Sequence, residues 1–208
     1  ITMTGVKDAG GNVTAEANYA RGITSESGAK VTIGGNVVTN VSGKNAYGIE
    51  AFRNKIRDDS VPEAEIEIAG NYGATVNASE GEANGIVTDN GGKVTIGGSA
   101  VIAVVSNNGD ATGMTNYHLD TTDGKSAGKT EIKGAVHINV TSNGDGKVWG
   151  IYNHNGAATE IGSEAAGALT AVTVRGNGGS EIKGIQAIKN SSIDLHGAAL
   201  VDVRGDSS

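Results

Sequence analysis

The chain has 208 residues, including 34 Gly, one Pro, one Trp and no Cys, so disulfide staples and thiolate metal sites are excluded. At a net charge of −7 it is a poor partner for a nucleic-acid backbone or an anionic membrane, and no apolar run approaches the roughly 20 residues of a membrane-spanning helix. Aromatics make up 3%, too few for a core of large rings. The apolar residues are mostly Val, Ile and Ala, which favours many short strands around a narrow interior, and high Gly without a strict triplet excludes collagen.

Apolar alternation then runs through the chain in units of three strands. The first unit reads Ile1-Thr2-Met3, then Val13 to Ala17, then Ala20-Arg21-Gly22-Ile23. The second is Val31-Thr32-Ile33, a turn at Gly35, Val37 to Val41 with Thr39 as an inward polar exception, and Ala46-Tyr47-Gly48-Ile49. An insertion from Phe52 to Glu63 follows. The third unit is Ile66-Glu67-Ile68, Tyr72 to Val76 and Ala83-Asn84-Gly85-Ile86. The fourth, Lys93 to Met114, is the clearest: Val94-Thr95-Ile96, Ala100 to Val104, a turn at Asn107 to Asp110, and Ala111-Thr112-Gly113-Met114. A second insertion spans Tyr117 to Gly128. The fifth unit is Thr130-Glu131-Ile132, Val136 to Val140, a turn at Ser142 to Gly146, and Val148-Trp149-Gly150-Ile151. The sixth is Thr159-Glu160-Ile161, Leu169 to Val174 and Ile182-Lys183-Gly184-Ile185; Ile193-Asp194-Leu195 and Ala199 to Val203 begin a seventh.

The glycines of the third strand type stand at 22, 48, 85, 113, 150 and 184, so the spacing is 26, 37, 28, 37 and 34 residues. A fixed motif with variable insertions marks a repeat architecture. Three strands per unit form a triangular rung. Stacked rungs pair strand on strand in parallel and share one continuous core that no single rung could bury. In the third strand type, apolar residues three apart call for a kink or bulge at the glycine. The expectation is an all-β, three-strand-per-rung parallel β-helix over 1–208, a single segment of six to seven rungs and about 30 Å long. A propeller blade would instead need four antiparallel strands and aromatic signatures. The start at Ile1, without Met or a signal peptide, and the lack of a recognisable cap suggest an excerpt of a longer solenoid.

The outward middle residues of the first strand type form a ladder: Thr2, Thr32, Glu67, Thr95, Glu131, Glu160 and Asp194. Neighbouring acids about 5 Å apart suit two catalytic carboxylates of a retaining glycosidase, or a cation held by oxygens; a solvated face offset by Lys129, Lys133 and Lys183 competes with both. Lys30, Glu65 and Lys93 stack in the next column with alternating sign, as cross-strand pairs do. Acids interrupt the Thr residues, so no flat ice-binding array survives. Trp149 sits at the outward x of the third strand type, Tyr47 shares its column and Tyr152 points out of the same strand, making these three the candidate binding residues. The insertion after Phe52 is a candidate recognition loop, with Phe52 itself folded over the core edge. His118, His137, His154 and His196 lack metal-ligand spacing and read as surface residues. The Asn107–Asp110 and Ser142–Gly146 stretches depart from calcium-loop spacing and read as turns. No phosphate-cradling loop, nucleophile elbow or cofactor motif is legible.

The repeated K-V-T-I-G-G at Lys30 to Gly35 and Lys93 to Gly98, followed by V-x-V and by Tyr47-Gly48-Ile49 or Asn84-Gly85-Ile86, resembles the passenger regions of bacterial autotransporter adhesins. The resemblance spans nearly the whole chain as a style of repeat. It implies a secreted right-handed β-helix displayed at the bacterial surface, anchored through a C-terminal outer-membrane barrel outside this sequence. Its function would be non-catalytic adhesion to a host-surface glycan or protein, or self-association between passengers, with no cofactor. The alternatives are a polysaccharide-active β-helix enzyme using the Glu131, Glu160, Asp194 column, and a phage tail-spike segment.

Overall fold

A computed structural model describes residues 6–7, 13–14, 18–53, 62–118, 127–163, 167–177 and 181–206. Eighteen of the strands form three parallel sheets of six. The first sheet stacks Lys30–Ile33, Glu65–Ile68, Lys93–Ile96, Lys129–Ile132, Ala158–Ile161 and Ser192–Leu195. The second stacks Val37–Gly43, Tyr72–Ala78, Ala100–Ser106, Val136–Ser142, Thr170–Asn177 and Ala199–Asp206. The third stacks Tyr19–Glu26, Asn45–Phe52, Ala83–Asp89, Ala111–Tyr117, Val148–His154 and Ile182–Ile188. Each of these eighteen strands pairs with its counterpart one rung away and never with its neighbour in sequence. The chain is therefore the expected parallel β-helix, six rungs tall across its described residues.

Alternation decides what goes inside. Ile66, Val94, Ile68, Ile96 and Ile132 project from the first sheet, Ile102, Ile138, Val104 and Val140 from the second, and Ile49, Ile86, Met114 and Ile151 from the third; all are at most 1% exposed. The last four share one register file. In the third sheet the paired residues skip the glycine: Arg21 faces Tyr47 and then Ile23 faces Ile49. That bulge resets the parity, so Ala20 and Ile23, three apart, both point inward. Only Gly fits the bulge. A Cβ on Gly113 would stand 2.4 Å from Ile138 Cγ2 and 2.6 Å from the Gly150 carbonyl oxygen.

The interior is not wholly apolar. Thr39, the inward exception, lies 3.0 Å from the hydroxyl of Tyr72, which is itself 1% exposed and fills the space opposite Gly48. Where the third sheet turns into the next rung, Thr88, Asn116, Thr130, Asn153 and Thr159 form a fully buried ladder. Asn116 Oδ1 accepts from Thr88 and Thr130, and Asn116 Nδ2 donates to Asn153 Oδ1 (2.8 Å) and Thr159 Oγ1 (2.7 Å). The turns are tied rung to rung as well. Asn36 Oδ1 accepts from the Asn71 N–H, and Asn71 Oδ1 from the Ser99 N–H, both at 2.8 Å.

Three expectations need correction. Val13–Thr14 does not join the second sheet; it pairs antiparallel with Val6–Lys7. In the sixth rung the inward column begins at Thr170, which faces Val136, and Leu169 is 44% exposed. Phe52 does not fold over the core edge but stands in an outward column of the third sheet, paired with Asp89. Ile1–Met3, most of the Phe52–Glu63 insertion and most of Tyr117–Gly128 lie outside the described residues.

Candidate functional site

The acid ladder is built as expected. Thr32, Glu67, Thr95, Glu131, Glu160 and Asp194 are register partners up the first sheet. Its charges are offset locally. Lys129 Nζ lies 3.9 Å and His196 Nε2 3.7 Å from Glu160, while Lys30 bridges Glu65 (2.9 Å) and Glu67 (3.0 Å). Lys183 pairs instead with Glu181. Among the described residues no three His, Asp or Glu side chains gather as a metal site. The outer columns of this sheet hold Lys, Thr, Glu, Ala, Ser and Asp and no ring.

Apart from the buried Tyr72, the aromatic residues lie on the outer face of the third sheet. The bulge glycine places the residue before it and the residue two after it both outward. Register then aligns Tyr47, Asn84, Thr112 and Trp149 in one column, and Glu50, Val87, Thr115 and Tyr152 in the next. The large side chains fall on the second and fifth rungs and the small ones on the two rungs between. Three strand spacings, about 14 Å, separate the two walls. The result is a groove of about 270 Å³. Asn84, Val87 and Thr112 on its floor are buried although they face outward.

One wall is an aromatic stack. The Trp149 and Tyr152 rings lie 4.3 Å apart at 27°, with His154 continuing at 6.1 Å from Tyr152. Lys147 Nζ sits 5.2 Å from the Trp149 ring centroid. On the other wall the Arg21 guanidinium sits 5.6 Å from the Tyr47 ring and pairs with Glu50, and the Tyr47 hydroxyl donates to Glu82 at 3.2 Å. Tyr117 and Asp110 complete the lining. Burial dominates the electrostatics. It raises the Glu50 carboxyl against the pull of Arg21, and raises the Tyr47 hydroxyl further in the field of Glu82. Beside Tyr117, burial pushes the Asp89 carboxyl up to about 7; hydrogen bonds from the Asn90 backbone and Tyr117 oppose this, and Glu50 adds to it. Asp89 Oδ1 and Trp149 Nε1 are buried with no hydrogen-bond partner among the described residues.

The sequence pattern placed Tyr47, Trp149 and Tyr152 on one face, and the structure brings them to one groove. Glu50, Glu82, Asp110 and Tyr117 were not singled out as site residues beside them. Parity alone could have added Glu50, next to inward Ile49, and Tyr117, three beyond inward Met114. His118 corrects the surface assignment, because it is 4% exposed. The Asn107–Asp110 and Ser142–Gly146 stretches are turns that hydrogen-bond to each other, Asn143 Nδ2 donating to Asn107 Oδ1 at 3.1 Å. A second, larger concavity of about 710 Å³ lies at the corner between the second and third sheets, around Lys44, Asn77 and Asn107, with no ring among its described lining residues.

No family model matches the sequence, and no curated protein or solved structure is significantly similar to it.

Proposed function

We propose that this chain is a rigid adhesive rod of an autotransporter-like surface protein, working outside the cell by display rather than catalysis. The observation that carries this is the third-sheet groove. Its rings and acids come from rungs locked by parallel ladders and bulge glycines, so their spacing is set before any ligand arrives. Preorganised aromatic side chains lose little conformational entropy on binding. The repeat style shared with autotransporter passengers supports surface display, and a host glycan, a host protein or a neighbouring passenger is the partner. The acid column supports catalysis less well, since Glu160 is engaged by Lys129 and His196 on a sheet without rings.

Adherence of the purified chain to host cells tests the proposal. The chain binds, and Trp149→Ala lowers binding about tenfold with an unchanged far-UV spectrum, as loss of a well-packed interface Trp does. Equal binding by Trp149→Ala removes the groove from the account. Turnover of acidic or neutral polysaccharides that Glu160→Gln abolishes would replace display with catalysis. A trimer in solution would favour the tail-spike alternative.

A further inference from the structure

The groove carries an electrostatic bias that its shape alone does not require. Three carboxylates, Glu50, Glu82 and Asp110, line it together with its rings, and no Lys, Arg or His stands among its described lining residues. Among the described residues only Glu50 of the three forms an ion pair, with Arg21. Glu82 accepts from the Tyr47 hydroxyl, and Asp110 from the Lys147 backbone N–H at 2.8 Å. These are neutral donors, and among the described residues they leave both charges uncompensated. Asp89, 7% exposed and accepting from Asn90 Nδ2 at 3.0 Å on one oxygen, keeps its Oδ1 buried without a hydrogen-bond partner among the described residues.

The protein itself displays what these surfaces accept. At one wall a guanidinium lies over Tyr47 and pairs with Glu50. At the other an ammonium lies over Trp149. Both are cation–ring contacts, in which the negative face of the ring attracts the charge. Between the walls the floor is Asn84, Val87, Thr112 and Thr115, which offers space and no cation. Between the walls, Glu82 and Asp110 are left with no protein cation among the described residues. A basic side chain brings N–H donors that the carboxylates can accept; a quaternary ammonium has none, and a neutral sugar leaves the carboxylates uncompensated.

We infer that the groove captures an arginine or lysine side chain of a partner protein, its cation between the Tyr47 and Trp149 walls and its N–H groups on Glu82 and Asp110. The inference rests on the groove being the rod's binding site and names the chemistry of its ligand.

Trp149 is the only Trp in the chain, so its fluorescence reports the groove directly. The intact chain is titrated with N-acetyl-arginine amide, N-acetyl-lysine amide and the neutral isostere N-acetyl-citrulline amide. The two cations give a saturable change that weakens as salt rises, and citrulline gives none. Glu82→Gln, on an exposed side chain, weakens arginine binding about fivefold, the factor that roughly 1 kcal/mol represents, with an unchanged circular dichroism spectrum. Citrulline binding as well as arginine, no response to either cation, or an unaltered affinity in Glu82→Gln overturns the inference. A response to chito-oligosaccharide alone also overturns it, while leaving the groove as the binding site. Undiminished cell adherence by Trp149→Ala sinks the underlying reading instead.

Discussion

Asp89 and Asn116 lie one rung apart near the same edge of the third sheet, and they face opposite ways. Asp89 points outward into a covered position where burial holds its carboxyl up to about 7. Its carboxyl titrates near 3.9 in an unfolded chain, so the folded state binds the proton more tightly. The group's stabilising contribution is therefore complete below about pH 4 and is lost as pH rises through about 7. Asp89→Asn removes that slope. Thermal unfolding at pH 5 and pH 8 should show the variant losing less stability than the parent across the interval, by roughly 2 to 4 kcal/mol; parallel losses in both would contradict the assignment. Asn116 points inward and satisfies Thr88, Thr130, Asn153 and Thr159 at once. Asn116→Ala strands several buried polar groups and should cost on the order of 2–4 kcal/mol in denaturant unfolding. A cost within 0.5 kcal/mol would mean the ladder contributes nothing net.

At the scale of the strand, the glycine bulge decides both the core and the site. It turns an alternation that would expose every second aliphatic into one that buries Ala111 and Met114 together. The same reset sends Trp149 and Tyr152, three apart, to the outer face. Adding a methyl there forces Ile138 and the next rung's carbonyl aside. Gly113→Ala should cost about 1–3 kcal/mol or more, whereas Gly34→Ala, with nothing within 4 Å of the added carbon, should stay within about 0.5 kcal/mol. Equal unfolding midpoints for the two variants would dissociate the bulge from the packing assigned to it. The strands themselves were legible in the sequence because parity repeats: V-x-I, then an alternating run, then A-x-G-I. Thr170 escaped, since a buried Thr opens its column where the pattern asks for an aliphatic. Val13–Thr14 escaped because antiparallel pairing with Val6–Lys7 breaks the column rule that every later rung obeys. The Asn116–Asn153 ladder was hidden because a reading of apolar alternation carries no mark for a buried amide. Its signal was present in both residues standing two positions after an inward aliphatic, Met114 and Ile151.

For the whole molecule, stacking converts positions far apart in sequence into neighbours at one strand spacing. Tyr47 and Trp149 are about a hundred residues apart in the chain, yet they form opposite walls of one groove. Their shared column could be read from the repeat. The groove could not, because it depends on which rungs carry small residues and on Glu82 and Asp110 entering from the turns. All of this requires the rungs to be parallel and in register from first to last. The chain has no Cys, so cysteines introduced for Thr32 and Asp194 are the only sites a thiol-reactive spin label can take. These two positions are five rungs apart in the same exposed ladder. Pulsed electron spin resonance should return a single narrow distance centred near 24 Å, five strand spacings, broadened only by the label arms. A distance well outside that value, or a wide multimodal distribution, would contradict the stack.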